Sequence, residues 1–196
     1  MIYTDYPTEA DVQAFLVNAG VTATPPEGLQ MYIDSAVEEW ENNTGYTPFL
    51  ADPSDSEVSF DGPAPLRYLE LKGAFASITS LYYGVTSTYA GTLGTVNSDY
   101  FTDTYLGAII GIEFTGMISG QRSVKITGKK GFCTELPAKV YRAIIEKAAA
   151  DYSAVATQVG DVKRIKQGPV EYELNESQIS KWAKSFDELA KTYRRI

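Results

Sequence analysis

Apolar positions follow two different periods along the chain, and these periods predict helices on either side of a β-rich centre. Over residues 135–160 apolar side chains recur at steps of three and four, which places them on one stripe of an α-helix. The stripe consists of Leu136, Val140, Ile144, Ala148, Tyr152 and Val155. Pro137 suits the first helical turn, with Thr134 as the predicted N-cap and Gly160 as the predicted stop.

The same period predicts three more helices. One spans residues 9–20 with Thr8 as its N-cap, and a second spans 27–45 and ends at Gly45. The last is predicted over residues 176–193. Its apolar seam consists of Ile179, Trp182, Phe186, Leu189 and Tyr193.

Between these helices the period shortens to two, which is typical of half-buried β-strands. Residues 46–66 are rich in proline and are predicted to form a loop, and residues 85–107 are predicted to form a long hairpin tip. Glycines divide the remainder into five predicted strands. The predicted strands cover 66–73, 77–84, 96–105, 108–116 and 122–128.

Together these elements predict an α+β fold: a four-helix bundle with an antiparallel sheet or small barrel inserted between the second and third helices. The predicted parts are an N-terminal helical region over 1–65, a β insertion over 66–132, and C-terminal helices with a connecting arm over 133–196. The arm is strand-like but broken at Gly168-Pro169, so it lies at a sheet edge or bends between two short strands.

Charge is distributed unevenly along the chain. The formal net charge is −8, yet residues 1–66 contain twelve acidic residues and no lysine or arginine. We therefore expect surfaces of opposite sign, which could meet within one fold or between copies in an assembly. Lys163, Arg164 and Lys166 make the arm basic, but a protein this acidic is a poor candidate for gripping nucleic acid directly.

The residue types needed for most catalysis are scarce. The chain has no histidine and one cysteine, Cys133, so we predict no metal site, no cofactor and no enzymatic activity. Cys133 is either a thiolate activated by nearby cations or, as we favour, a small half-buried residue at a strand-to-helix junction. The acidic residues 1–12 do not form a secretory signal, and no stretch is long and apolar enough to span a membrane.

Several stretches together resemble the head–tail connector, or adaptor, proteins of tailed bacteriophages. They occur in the family's order and cover more than half of the chain. The matching stretches are 32–50, 60–63, 69–81, 124–152, 162–173 and 186–196. The long β region over 66–132 departs from the smallest members of that family.

The resemblance implies a structural virion protein with a connector-type helical bundle. Such proteins form a ring, typically of twelve copies, below the portal at the neck of the virion. The ring extends the DNA channel and docks the tail or its stopper, while DNA passes through without specific binding. By this resemblance the partners are the portal protein, neighbouring copies, and the tail or stopper protein, with assembly in the host cytoplasm.

The resemblance also implies that the C-terminal part reaches the portal and that arm-like segments cross to neighbouring copies. The candidate contact residues are Lys163, Arg164, Lys166, Tyr172, Trp182, Phe186, Tyr193, Arg194 and Arg195. Residues 170–174 alternate in polarity and would suit addition to another subunit's sheet. Two alternatives stay open: a tail terminator or tail-tube component, and, more remotely, a hydrolase that uses paired carboxylates.

Overall fold

A computed structural model of the chain confirms an α+β protein. It divides into two compact units: a helical unit formed by Met1–Gly45 with Leu136–Ile196, and a sheet unit formed by Tyr46–Glu135. The residues described by the structure are 3–20, 28–85, 89–159, 165–167, 170–172 and 176–194.

The described part of the chain contains four helices, close to the four that the sequence predicts. The helices are α1 (Glu9–Asn18), α2 (Leu29–Thr44), α3 (Ala138–Val159) and α4 (Glu176–Tyr193). Its strands are β1 (Ser56–Tyr83), β2 (Thr92–Leu93), β3 (Tyr100–Tyr105), β4 (Ala108–Lys130), β5 (Ile165–Gln167) and β6 (Val170–Tyr172). No helix among the residues described has the length and apolar character needed to cross a membrane.

Helix α3 lies at the centre of the helical unit and contacts α1, α2 and α4. Val140, Ile144 and Ala148 of its predicted stripe are buried, but Val155 is 43% exposed, so the stripe was wrong there. Val155 lies within about 20° of the buried Ile144 and Ala148 around a helix that has 3.6 residues per turn, so its exposure follows from its place near the C-terminal end of α3 and not from its angular position. Near the end of the helix the buried positions are instead Ala149, Ala150 and Ser153.

The start of α3 also differs from the prediction. The backbone N–H of Leu136 donates to the carbonyl oxygen of Tyr3 at 2.7 Å, which keeps Leu136 extended. The carbonyl of Pro137 then accepts from the N–H groups of Val140 and Tyr141. The helix therefore begins at Ala138, and Thr134 is too far upstream to cap it.

The sheet unit is built on two long, curled strands, in the order β2-β1-β4-β3 with antiparallel pairing. The predicted loop over 46–66 is wrong in its second half, because β1 already begins at Ser56. The predicted breaks within β1 and β4 are irregularities of register rather than ends of strands. Glycine permits bulges and bends inside a strand as readily as it permits a turn, which is why the sequence suggested separate strands.

Gly128 shows how closely these strands pack. It lies in β4 between two segments of the same strand β1, with Ser56 as its partner on one side and Ile78 on the other. A Cβ atom at Gly128 would lie 2.2 Å from the carbonyl oxygen of Ser77 and 3.0 Å from the Cα of Ile78. Because both contacts are with backbone, no side-chain rotation can relieve them.

The predicted long tip over 85–107 is also corrected. It contributes β2 and β3 to the sheet, and the turn that joins β3 to β4 consists of only Leu106 and Gly107. The broken arm is confirmed: β5 and β6 are two short strands that pair antiparallel, with Lys166 opposite Glu171. Gly160 and the Gly168-Pro169 pair lie outside the residues that the structure describes.

We predict that Gly128→Ala destabilises the sheet unit by about 1–3 kcal/mol, the usual cost of overpacking a filled site. Hydrogen exchange measured by mass spectrometry should be faster in the variant for peptides from residues 46–135, which form this unit. Gly116→Ala is the matched control, because a Cβ at Gly116 in the same strand meets nothing within 4 Å. Equal exchange in the two variants would contradict the backbone clash.

A network of hydrogen bonds attaches the start of α1 to α3. The Asp11 carboxylate accepts hydrogen bonds from the Thr8 hydroxyl and from the Thr8 backbone N–H, the latter at 2.8 Å. It also interacts with the hydroxyl of Tyr141, whose ring stacks on Tyr3 with centroids 3.7 Å apart. The Thr8 hydroxyl is the main cause that holds the pKa of Asp11 below its ordinary value. Burial, followed by the Asp11 contact, raises the pKa of Tyr141 to about 12.

These shifts determine how the two residues affect stability with pH. Asp11 has a lowered pKa in the folded state, so its contribution is present above its ordinary pKa of 3.8 and is lost as the pH falls through the lower folded value. Tyr141 has a raised pKa, so its contribution is present below 10.0 and is lost as the pH rises towards about 12.

We predict that Asp11→Asn lowers the free energy of unfolding by about 0.5–1 kcal/mol at pH 7, because charged hydrogen bonds are lost. The difference from the wild type should shrink as the pH falls below 3.8. Urea unfolding followed by tryptophan fluorescence suits this measurement, since Trp40 and Trp182 both belong to the helical unit. A difference that stayed constant down to pH 3 would argue against the charge-dependent network.

Candidate docking surface

Helix α4 is attached to the helical unit by three aromatic side chains that the sequence suggested as partner contacts. Phe186 is fully buried and packs edge-on against Trp40, with ring centroids 5.4 Å apart. Tyr193 lies 5.7 Å from the same Trp40 ring, and Trp182 meets Phe15 of α1 at 5.1 Å. In this structure these rings hold α4 against α1 and α2, and Phe186 has no exposed surface to offer a partner.

Lys147 of α3 adds an electrostatic link at the same place. Its ammonium nitrogen lies 3.0 Å from the Glu39 carboxylate and 3.2 Å from that of Asp151, and 6.0 Å from the centroid of the Phe186 ring. Burial disfavours the charge, but hydrogen bonds to Glu39 and Asp151 outweigh it and raise the pKa of Lys147. Lys147 therefore stays protonated and joins α2, α3 and α4.

The remaining predicted contact residues are placed as follows. Arg194 is exposed just after the end of α4, while Lys166 belongs to β5 and Tyr172 to β6, where Tyr172 pairs with Ile165. Lys163, Arg164 and Arg195 lie outside the residues that the structure describes. Their role in binding the portal or neighbouring copies stays a prediction.

The outward face of α4 carries cations of which sequence reasoning singled out only Arg194. Lys181, Lys184, Lys191 and Arg194 are all exposed, and so are the acids Asp187 and Glu188 of the same helix, which leaves an excess of positive charge. None of these four cations forms an ion pair with another residue that the structure describes. These cations could have been found from the sequence, because their positions lie off the apolar seam of the helix and therefore on its solvent-facing side. We call them the α4 cationic face.

Acidic residues are exposed on the first two helices of the same unit. Glu9 of α1 and Asp34 and Glu38 of α2 are exposed, which accords with the acidic first third of the sequence. Glu9 accepts a hydrogen bond from the backbone N–H of Gln30 at 2.8 Å, so it also helps to join α1 to α2. The helical unit thus presents exposed groups of both signs.

A cleft between α3 and α4 has a volume of about 470 Å³. Its charged lining includes Lys139, Arg142, Glu146 and Glu188. Arg142 already donates to Glu146 at 2.8 Å. Because the cleft is lined by groups of both charges, and Arg142 and Glu146 already form an ion pair, it does not favour binding of a small anion or of a small cation.

The environment of Cys133 supports its interpretation as a half-buried residue rather than an activated thiolate. Burial raises the pKa of the thiol to about 11, and its Sγ lies 3.7 Å from the carbonyl oxygen of Phe49, to which it donates. The thiol is therefore protonated at neutral pH and is not an activated nucleophile. Among the residues that the structure describes, no three His, Cys, Asp or Glu side chains group together as metal ligands would.

No protein-family model matches the chain, and no curated protein matches it either. Solved structures do share its fold. A chain of the "virion of native gene transfer agent (GTA) particle" aligns over 100% of this chain and 95% of its own length, with a TM-score of 0.58 and 15% identity. The chain therefore shares its fold with a chain of a gene transfer agent virion.

Two further alignments involve neck structures of the same kind of particle. The "neck of native GTA particle computed with C12 symmetry" aligns at a TM-score of 0.48 and 15% identity, over 93% of this chain and 94% of that chain. The "neck of empty GTA particle computed with C6 symmetry" aligns at 0.46 and 17% identity, with the same coverage.

We predict that Phe186→Ala lowers the free energy of unfolding of the helical unit by about 3–5 kcal/mol, because it leaves a cavity beside Trp40. Tryptophan fluorescence during urea unfolding would measure the loss. Lys184→Ala, an exposed change on the same helix, should stay within about 0.5 kcal/mol of the wild type. A small effect of Phe186→Ala would mean that α4 is not anchored by this ring.

Proposed function

We propose that this chain is a structural protein of a tailed-phage-like virion and acts as a head–tail connector. In this role it assembles as a ring below the portal at the neck, extends the DNA channel, and docks the tail or stopper protein. The observation that carries the proposal is the likeness, over the whole chain, to the fold of a gene transfer agent virion protein. The connector-like stretches of the sequence, in the family's order, support the more specific role.

The charge distribution supports assembly from copies of one chain. An oligomer whose subunits make a head-to-tail contact brings two different surfaces of the same chain together, and such contacts close into rings. The α4 cationic face and the exposed acids Glu9, Asp34 and Glu38 provide two such surfaces of opposite sign. The proposed contact pairs them across neighbouring copies.

The same charge balance suits a channel through which DNA moves. The net charge of −8 means that a ring of these chains would repel the phosphate backbone as a whole. DNA would then pass without being held, because tight non-specific binding requires many cations placed on phosphates. Specific binding of DNA is not part of the proposed role.

The first experiment asks whether the chain assembles at all. Purified protein, alone and mixed with a portal protein from the genome that encodes it, would be examined by mass photometry and electron microscopy. We expect closed rings, either free or formed on the portal. Protein that formed no ring and bound no portal would overturn the connector role, and capture of a tail-tube protein without portal would favour a tail component.

We predict that the double charge reversal Lys184→Glu with Lys191→Glu weakens self-assembly by about tenfold, which corresponds to about 1.4 kcal/mol. Adding Asp34→Lys and Glu38→Lys to the same chain should restore assembly, because the charge pattern is then inverted on both surfaces. Mass photometry across a concentration series would measure both changes.

A salt series provides the control for this prediction. At about 1 M salt the screening length falls to about 3 Å, so the wild type and the double reversal should become similar. Failure of the inverted chain to recover, or a defect that persists at high salt, would indicate a loss of folding rather than a loss of pairing between copies.

A further inference from the structure

The turn between β3 and β4 has an unusual residue at its tip. Tyr105 pairs with Ala108, so the turn contains only Leu106 and Gly107. Both have positive φ angles, 50° for Leu106 and 92° for Gly107. Two-residue hairpin turns with this backbone favour Asn-Gly, Asp-Gly or Gly-Gly, and leucine is not among the preferred residues.

Leucine at this position is unfavourable in two independent ways. The left-handed conformation is unfavourable for an L-residue, because its Cβ atom comes close to the following carbonyl oxygen. The side chain is also 62% exposed, so it gains little from burial within its own chain. Asparagine would adopt this backbone more easily and would suit water better. A strained, exposed apolar side chain at the tip of a short hairpin indicates contact with something outside the chain.

The sheet unit also contains a pocket that suits an apolar side chain. Its volume is about 430 Å³, and its walls include Val58, Phe60, Leu69 and Phe75. This volume lies within the range of about 300–1,000 Å³ found for pockets that hold ligands, and a leucine side chain fits easily. Glu70 and Lys130 provide the charged part of the lining. Leu106 does not fill the pocket of its own chain, since it is largely exposed.

The charges beside these two features are complementary. Residues 100–117, which form the hairpin, contain two acids, Asp103 and Glu113, and no cation. Residues 121–130, at the end of β4 that reaches the pocket at Lys130, contain four cations and no acid. Lys125 already pairs with Glu57 at 3.1 Å, so Lys129 and Lys130 are the cations that a hairpin approaching from a second copy would meet.

We propose that Leu106 inserts into the Val58–Phe60–Leu69–Phe75 pocket of a second copy of this chain. The contact rests on the proposed self-assembly and names one of its interfaces. The exposed leucine becomes buried, and the energetic disadvantage of the left-handed turn is offset by burial against the apolar walls. Asp103, which is close to the tip of the hairpin, then lies beside Lys129 and Lys130 of the neighbouring β4.

The decisive variant is Leu106→Asn, because it separates stability from assembly. Asparagine is a favoured residue at this turn position, so the variant should unfold at an equal or higher urea concentration than the wild type. It also removes the apolar side chain, so self-association measured by analytical ultracentrifugation should weaken at least tenfold. Leu93→Asn makes the same chemical change at another exposed leucine, in β2 at 55% exposure, and should leave association unchanged.

A cross-linking experiment tests the pairing directly. Cys133 would first be changed to serine so that each chain carries one engineered thiol. A chain with Leu106→Cys would be mixed with a separate chain carrying Val58→Cys, so that any disulfide between these two sites joins two copies. Under mild oxidation we expect the mixed dimer to form faster than either dimer of identical chains.

The outcomes distinguish this contact from the proposed function. Wild-type rings together with unchanged association of Leu106→Asn, or a mixed dimer no faster than the identical ones, would overturn the contact and leave the connector role intact. An equal loss of association in Leu106→Asn and Leu93→Asn would indicate non-specific hydrophobic association and would also overturn the Leu106 contact. A wild type that neither associates nor binds a portal would overturn both proposals.

Discussion

The position of α4 depends on one buried ring. Phe186 packs against Trp40 of α2 and lies beneath the ammonium group of Lys147 of α3, so a single side chain joins three helices. Lys147 is itself fixed by the carboxylates of Glu39 and Asp151. Because the apolar seam of α4 is turned inward by this packing, its cations are necessarily turned outward. The surface proposed to meet a neighbouring copy is thus a consequence of how the core is filled.

The helices could be predicted well because their buried faces repeat with the period of the helix. Phe186 on the predicted seam of α4 is buried, and α2 ends at Gly45 as predicted. Val155 lies on the same side of α3 as the buried Ile144, but it lies near the C-terminal end of the helix, where that side is exposed. The start of α3 was misplaced because a pairing with Tyr3, distant in sequence, holds Leu136 extended. Such a tertiary contact leaves no local pattern.

The sheet and the candidate site were harder to predict, for related reasons. A glycine in a β-strand pattern can indicate a turn, a bulge or a close approach of two backbone segments, and the sequence does not distinguish these three. At Gly128 only the structure shows that two segments of β1 lie on either side of the residue. An aromatic residue on a helical seam serves a core and an interface equally well, so Phe186 was suggested as a contact although it is buried. The backbone angle of Leu106 is likewise invisible in the sequence, because leucine gives no sign of a left-handed turn.

The division of the chain into two units has a consequence for its synthesis. The sheet unit is continuous in sequence, whereas the helical unit is made from residues 1–45 and residues from 136 onward. On the ribosome the sheet unit can therefore fold first. Until α3 and α4 have been synthesised, the side chains of Leu29, Ile33 and Trp40 in α2 remain exposed to solvent. A chain interrupted before that point would keep this apolar surface exposed to chaperones and proteases. Only chains that extend through α4 would then present the α4 cationic face, so the proposed pairing between copies would exclude chains that were interrupted before it.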